Sequence, residues 1–124
     1  MLTYDPRNIS IPVYTHLSKL KQESNSDKGE QKSQAVELYT YLATWGLMRL
    51  KAEETALTQK GKKELVKCFF KTLEVITEKK LELSEIAKLD ASEYLGVTNL
   101  ALQVAREFAF WAKAIYADVK EVAS

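Results

Sequence analysis

Residues 98–122, TNLALQVAREFAFWAKAIYADVKEV, repeat apolar side chains at steps of three and four: Leu100, Val104, Phe108, Trp111 and Ile115. At about 100° per residue these fall on one side of a helix, flanked by Ala101, Leu102, Ala105, Ala112, Tyr116 and Val119. A stripe that wide needs partner helices to cover it, so the rest of the chain is read for them. Upstream, Asp90-Ala91-Ser92-Glu93 has the spacing of a capping box, in which the two carboxylates satisfy the first backbone donors. Gly96 and Thr98 mark a break and restart, and Ser84 starts a short helix through Leu89.

Thr58 caps a further helix running to about Lys79, with Leu65, Val66, Phe69, Leu73 and Ile76 on its core face. Gln31 to Ala52 is read as one central helix. Ala35, Leu38, Leu42 and Trp45 recur along it, and Tyr39, Leu47 and Leu50 widen the apolar face almost around the axis. Gly46 inside it costs ~1 kcal/mol against Ala, which close packing on a neighbour or a local bend explains; close packing is preferred. Pro12 suits the first turn of a helix over 12–22, with Val13, Leu17 and Leu20 inward and Lys19, Lys21 and Gln22 wet. Between these two helices ESNSDKGE, residues 23–30, is rich in turn formers and has no apolar side chain, which predicts a flexible loop. No strand-like alternation competes and no repeat is present. The expectation is an all-α fold, a small bundle of about four to five helices forming a single domain over residues 1–124.

Composition agrees with one domain. The 124 residues are 46% hydrophobic and 28% charged, and 18 Lys and Arg against 17 Asp and Glu leave a net charge of +1. No global charge pulls the chain toward nucleic acid or a membrane, so any electrostatic function is local. The first residues, MLTYDPRNIS, lack the basic start and apolar core of a leader, and no apolar run approaches the ~20 residues of a membrane helix. One cysteine excludes an internal disulfide, and the expected compartment is the reducing cytoplasm.

Catalytic and metal chemistry finds little to work with. Cys68 has no histidine near it in sequence and lies at the border of an apolar face, where it reads as a structural thiol, although Lys67 and Lys71 would lower its pKa. His16 has no acid three or four positions away and reads as a surface or packing residue. The Arg-x4–6-His arrangement of HEPN-type helical ribonucleases is missing, since Arg7 stands at the wrong distance from His16. There is no Glu-x-x-His pair and no calcium-loop ladder, and Gly29, Gly46, Gly61 and Gly96 are scattered. The reading is a protein that is not an enzyme and takes no metal or cofactor.

What remains is basic charge. Lys60, Lys63, Lys67 and Lys71 lie within an arc of roughly 80° opposite a core face. Arg106, Phe110, Lys113 and Lys120 share one flank of the last helix, with heptad spacing between the cations. Such stripes are often solvated surface, but cations with an interleaved ring also suit a nucleic-acid backbone. Trp45 and Trp111, on apolar faces, are read as core.

A small all-α protein without cofactors and with lysine-rich helix faces resembles the small subunit of CRISPR effector complexes, the helical protein that lines the belly of the guide-bearing filament. The likeness is one of architecture over nearly the whole length and rests on no signature motif. Separately, Leu38-Tyr39-Thr40-Tyr41-Leu42-Ala43-Thr44-Trp45-Gly46-Leu47-Met48-Arg49 is similar to a segment of uncharacterised bacterial helical proteins, from which no function carries over. The CRISPR resemblance implies a non-catalytic subunit that holds single-stranded nucleic acid without reading its sequence and so stabilises the guide–target assembly. Its partners would be the other subunits of the ribonucleoprotein, the crRNA, target or displaced single-stranded DNA, and several copies of itself. Phosphate contacts would come from Lys60, Lys63, Lys67, Lys71, Arg106, Lys113 and Lys120. Two alternatives stay open: an adaptor or antitoxin-like interaction module exposing Phe70, Phe110 and Tyr116, and a small enzyme with Cys68 as nucleophile.

Overall fold

The computed structural model describes residues 6–122; the opening residues, on which part of the leader reading falls, and the last two lie outside them. Among the described residues there are six helices and no strand: α1 (Pro6–Glu23), α2 (Lys28–Trp45), α3 (Leu47–Ala56), α4 (Lys60–Thr77), α5 (Leu83–Ala87) and α6 (Ala91–Ile115). The expected all-α bundle is the observed class, with several boundaries displaced.

Four long helices form the bundle. α1 and α2 each pack on both α4 and α6, and the latter two face one another across the core, where the Phe69 ring meets Phe108 edge-on at 5.4 Å and Phe70 at 5.3 Å. Contacts along the seams fix directions. His16 meets Thr72 and Ser24 meets Glu64, so α1 and α4 are antiparallel; Tyr39 meets Arg106 and Gln31 meets Tyr116, so α2 and α6 are antiparallel too. Ser10 meets Glu107 and Lys21 meets the Ile115 carbonyl, so α1 and α6 run together. It follows that α2 and α4 are parallel, and α3 must carry the chain back between them.

That return corrects the reading of 31–52 as one helix. Gly46 has φ +89°, a conformation that a side chain disfavours, and the chain reverses there. The cause is local geometry rather than the close packing preferred from sequence. Its N–H bonds the Leu42 carbonyl at 2.9 Å, ending α2, while Tyr41 Oη donates to Glu53 Oε1 at 3.0 Å across the reversal. Trp45, expected in the core, is then the last residue of α2 and stands 52% exposed, with Arg49 over its ring at 4.2 Å.

Other ends also move. α1 begins at Pro6 and runs through Pro12, which was expected to open it. α4 is preceded by Gln59, not Thr58, and stops at Thr77. The capping box of Asp90 and Glu93 forms as read, yet α6 continues past Gly96 without a break, because the two box hydrogen bonds already start the helix at Ala91 and Gly96 sits exposed on its outer side. At the other end α6 stops at Ile115, earlier than expected, and residues 116–122 fold back over the start of α2.

The stretch 23–30, expected as a flexible loop, is shorter and more engaged. Ser24 to Asp27 lie between helices, while Lys28 to Glu30 already belong to α2, capped by the Asp27 carboxylate. Ser24 and Ser26 hydroxyls donate to Glu64 Oε1 of α4. Behind them a buried chain runs from Tyr116 Oη to Gln31 Oε1 at 2.7 Å and from Gln31 Nε2 to Ser26 Oγ at 2.8 Å. Polar residues therefore join α2, α4 and α6 through satisfied buried hydrogen bonds, a role that an apolar-periodicity reading does not see. Gly61 allows the close approach this needs: a Cβ there would lie 2.5 Å from the Asp27 carbonyl oxygen.

Candidate anion-binding face

The α4 row is set by the helical step and by burial of the opposite face. Leu65, Val66, Phe69 and Leu73 are fully buried, which turns Lys60, Lys67 and Lys71 outward and leaves Lys63 half-buried. Among the described residues none of these four ammonium groups has an acid within 4.0 Å or a hydrogen-bond partner. Their surroundings differ along the row. At the N-terminal end Glu30 accepts from the Gly61 N–H at 2.9 Å, and Glu64 lies close enough to Lys60 to be held below the ordinary carboxylate range, chiefly by the Ser24 and Ser26 hydroxyls and secondarily by that lysine. Toward the C-terminal end Lys67 and Lys71 border α1, and Glu74 and Glu78 continue the row in the opposite sign.

There α1 and α4 flank an open cleft of about 350 Å³. Lys19 and His16 line it from α1 and Lys67 and Lys71 from α4, with Leu20 and Cys68 as its apolar lining and Glu23, Ser24 and Glu64 also on its wall. Thr72 donates its hydroxyl hydrogen to the Cys68 carbonyl at 2.8 Å, so its oxygen accepts from His16 Nδ1–H at 2.6 Å. This fixes the tautomer and leaves Nε2 as an acceptor without a partner among the described residues. Burial, with Lys71 and Lys19 adding to it, holds the imidazole pKa below its usual value, so the ring is neutral at pH 7. His16 was read as a lone packing residue; periodicity carries no sign of a partner 56 residues away.

For Cys68 the expected lowering by the lysines does not prevail. Burial pushes its thiol up to about 12, which outweighs the lowering by Thr72 and Lys71, so the lysines do not produce a reactive thiolate.

The α6 cations are placed differently. Since α4 and α6 meet through their apolar faces, their outer sides point away from each other, and the two stripes do not form one surface. The Arg106 guanidinium donates to Tyr39 Oη at 2.8 Å and lies over that ring at 4.7 Å, on the α2 side. Lys113 is exposed on α6, but Lys120 lies beyond the end of the helix, so heptad spacing no longer aligns it with the other two.

The patch expected for an interaction module also changes. Phe70 and Tyr116 are buried, at 1% and 0% exposure, and Phe110 stands exposed without them. Phe110 instead meets Trp111 edge-on at 5.1 Å, and Trp111, expected in the core, is half-buried against it and meets the exposed Tyr14 of α1 at 5.3 Å.

Among the described residues no group of three or more His, Cys, Asp and Glu side chains is placed to hold a metal, and no helix is long and apolar enough to cross a membrane. No protein-family model, curated protein or solved structure matches this chain.

Proposed function

We propose that this protein is a non-catalytic, cytoplasmic subunit that holds the phosphate backbone of single-stranded nucleic acid along the α1–α4 seam, as the resemblance to CRISPR small subunits implies. The observation that carries the reading is the line of ammonium groups on α4, Lys60, Lys63, Lys67 and Lys71, with no acid within 4.0 Å among the described residues, joined across the seam by Lys19. A polyanion laid there neutralises lysines that repel one another and releases its own counterions, which yields affinity without sequence preference. Arg106 is held on Tyr39, Lys113 is exposed on α6, and Lys120 lies beyond that helix. In this reading they serve a neighbouring copy or another subunit of the ribonucleoprotein rather than the same strand.

The test is binding of a fluorescent single-stranded oligonucleotide across a salt series, with purification from the native host to ask whether RNA and larger subunits follow the chain. The expected result is a linear fall of log affinity with log salt, losing about 0.7 in slope for each phosphate contact removed. Binding that ignores salt, or none either alone or in the reconstituted complex, overturns the reading. A second reading, a protein-interaction module, draws on the Tyr14–Trp111–Phe110 row along the α1–α6 seam. Light scattering that shows a salt-insensitive assembly, lost in a Phe110→Asp variant, would favour it.

A further inference from the structure

We infer that the α1–α4 cleft is a discrete subsite for one nucleoside phosphate, the phosphate held by Lys19, Lys67, Lys71 and the free ring nitrogen of His16, and the flat base lying on Leu20 and Cys68. The inference rests on the reading above for one source of the ligand, a nucleotide unit of the bound strand; a free mononucleotide has the same chemistry.

Four basic nitrogens border one concavity, and none has a partner among the described residues. These cations border an open cleft of about 350 Å³, room for a phosphate and part of a base. The lining divides by chemistry: ammonium groups on both walls, and an aliphatic side chain and a protonated thiol between them. Glu64, the acid closest to competing for the lysines, already accepts from two serine hydroxyls. Glu23 is exposed on the wall.

His16 makes the site responsive to its ligand. Thr72 and the Cys68 carbonyl hold Nδ1 protonated, so a proton taken from solvent goes to Nε2, which then donates to a phosphate oxygen. Sharing the cleft wall with the ring are Lys19 and Glu23 from α1 and Glu64, Lys67, Cys68 and Lys71 from α4. In the empty cleft burial and the cations Lys71 and Lys19 disfavour that proton. A bound phosphate compensates the cations, so binding draws a proton onto Nε2 and raises the His16 pKa.

His16 is the one histidine of the chain, so its ring gives an unambiguous NMR titration. The ring is titrated alone and with adenosine monophosphate, adenosine, inorganic phosphate and a short single-stranded oligonucleotide. Adenosine monophosphate is expected to raise the His16 pKa by about 0.5 or more, adenosine to leave it unchanged, and inorganic phosphate to act at higher concentration. In a folded Lys67→Gln/Lys71→Gln variant the shift is lost, and His16→Gln weakens nucleotide binding about threefold at pH 6 but little at pH 8. An unmoved ring at saturating mononucleotide, with salt-dependent oligonucleotide binding intact, overturns the subsite and leaves the strand reading standing. A shifted ring without oligonucleotide binding supports the subsite, with a free nucleotide as its ligand, and overturns the strand reading. Equal affinity for inorganic phosphate and adenosine monophosphate overturns the role of the base.

Discussion

The α1–α4 and α2–α6 seams are both antiparallel helix pairs bearing cations, yet they use charge differently. On α2–α6 the charge is partly committed: Arg106 is fixed on Tyr39 and Lys32 donates to the Val119 carbonyl at 2.8 Å. On α1–α4 Lys19, Lys67 and Lys71 border a cleft and have no partner among the described residues. Lysine count does not separate the two, because each seam carries several. What separates them is whether an aromatic ring or a backbone carbonyl comes within reach, and that depends on the partner helix.

The strongest way to break this contrast is charge reversal on each side. Lys63→Glu/Lys67→Glu/Lys71→Glu is expected to lower single-strand affinity about 100-fold or more near physiological salt, measured by fluorescence anisotropy. Arg106→Glu/Lys113→Glu/Lys120→Glu should change it by less than about threefold. The reverse ranking would move the interface to α6.

Next in size is the buried polar chain that closes the N-terminal end of α2. Removing its terminal hydroxyl with Tyr116→Phe leaves Gln31 Oε1 without a donor and should cost about 1–2 kcal/mol in urea denaturation. A change under about 0.5 kcal/mol would mean that the serines and Gln31 hold the end without it.

Glu64 sharpens the contrast through pH. Its carboxyl is held below 4.5, first by the Ser24 and Ser26 hydroxyls, so the unfolded chain binds its proton more readily than the folded one. The contribution is present above about pH 4.5 and is lost as pH falls through the lower folded value. A Glu64→Gln variant should therefore be less stable than the parent at pH 6 and converge on it in acid, followed by thermal melts. A constant difference across the range would sever Glu64 from the serines.

The smallest effect is expected away from both seams. A Cβ at Gly96 meets nothing within 4 Å, so Gly96→Ala should stabilise α6 by about 0.5–1 kcal/mol and leave oligonucleotide affinity unchanged. Gly61→Ala, with the Asp27 carbonyl in the way, should do the opposite.

How much was legible depends on the range of the interaction. The core face of α4, with Leu65, Phe69 and Leu73, and the outward row of Lys60, Lys67 and Lys71 follow from one helical step applied within one element. The capping box follows from two carboxylates three residues apart. Gly46 was misread because apolar periodicity continues on both sides of it, and nothing in the pattern distinguishes a glycine that packs closely from one whose positive φ turns the chain. Trp45 follows that error, since its phase is meaningful only if the helix continues. Tyr116 was assigned to a flank because its partner, Gln31, is a polar residue 85 positions away.

The amino-acid order by itself thus determined the helical class, the inward and outward sides of most helices and the cationic row of α4, since each is a property of neighbours within a turn or two. Tertiary structure decided that the α6 cations part company, that the α4 row borders a cleft with His16, and that a serine-rich stretch becomes a buried polar joint. Those outcomes depend on which helices pair and in which direction, a choice made by contacts between residues tens of positions apart.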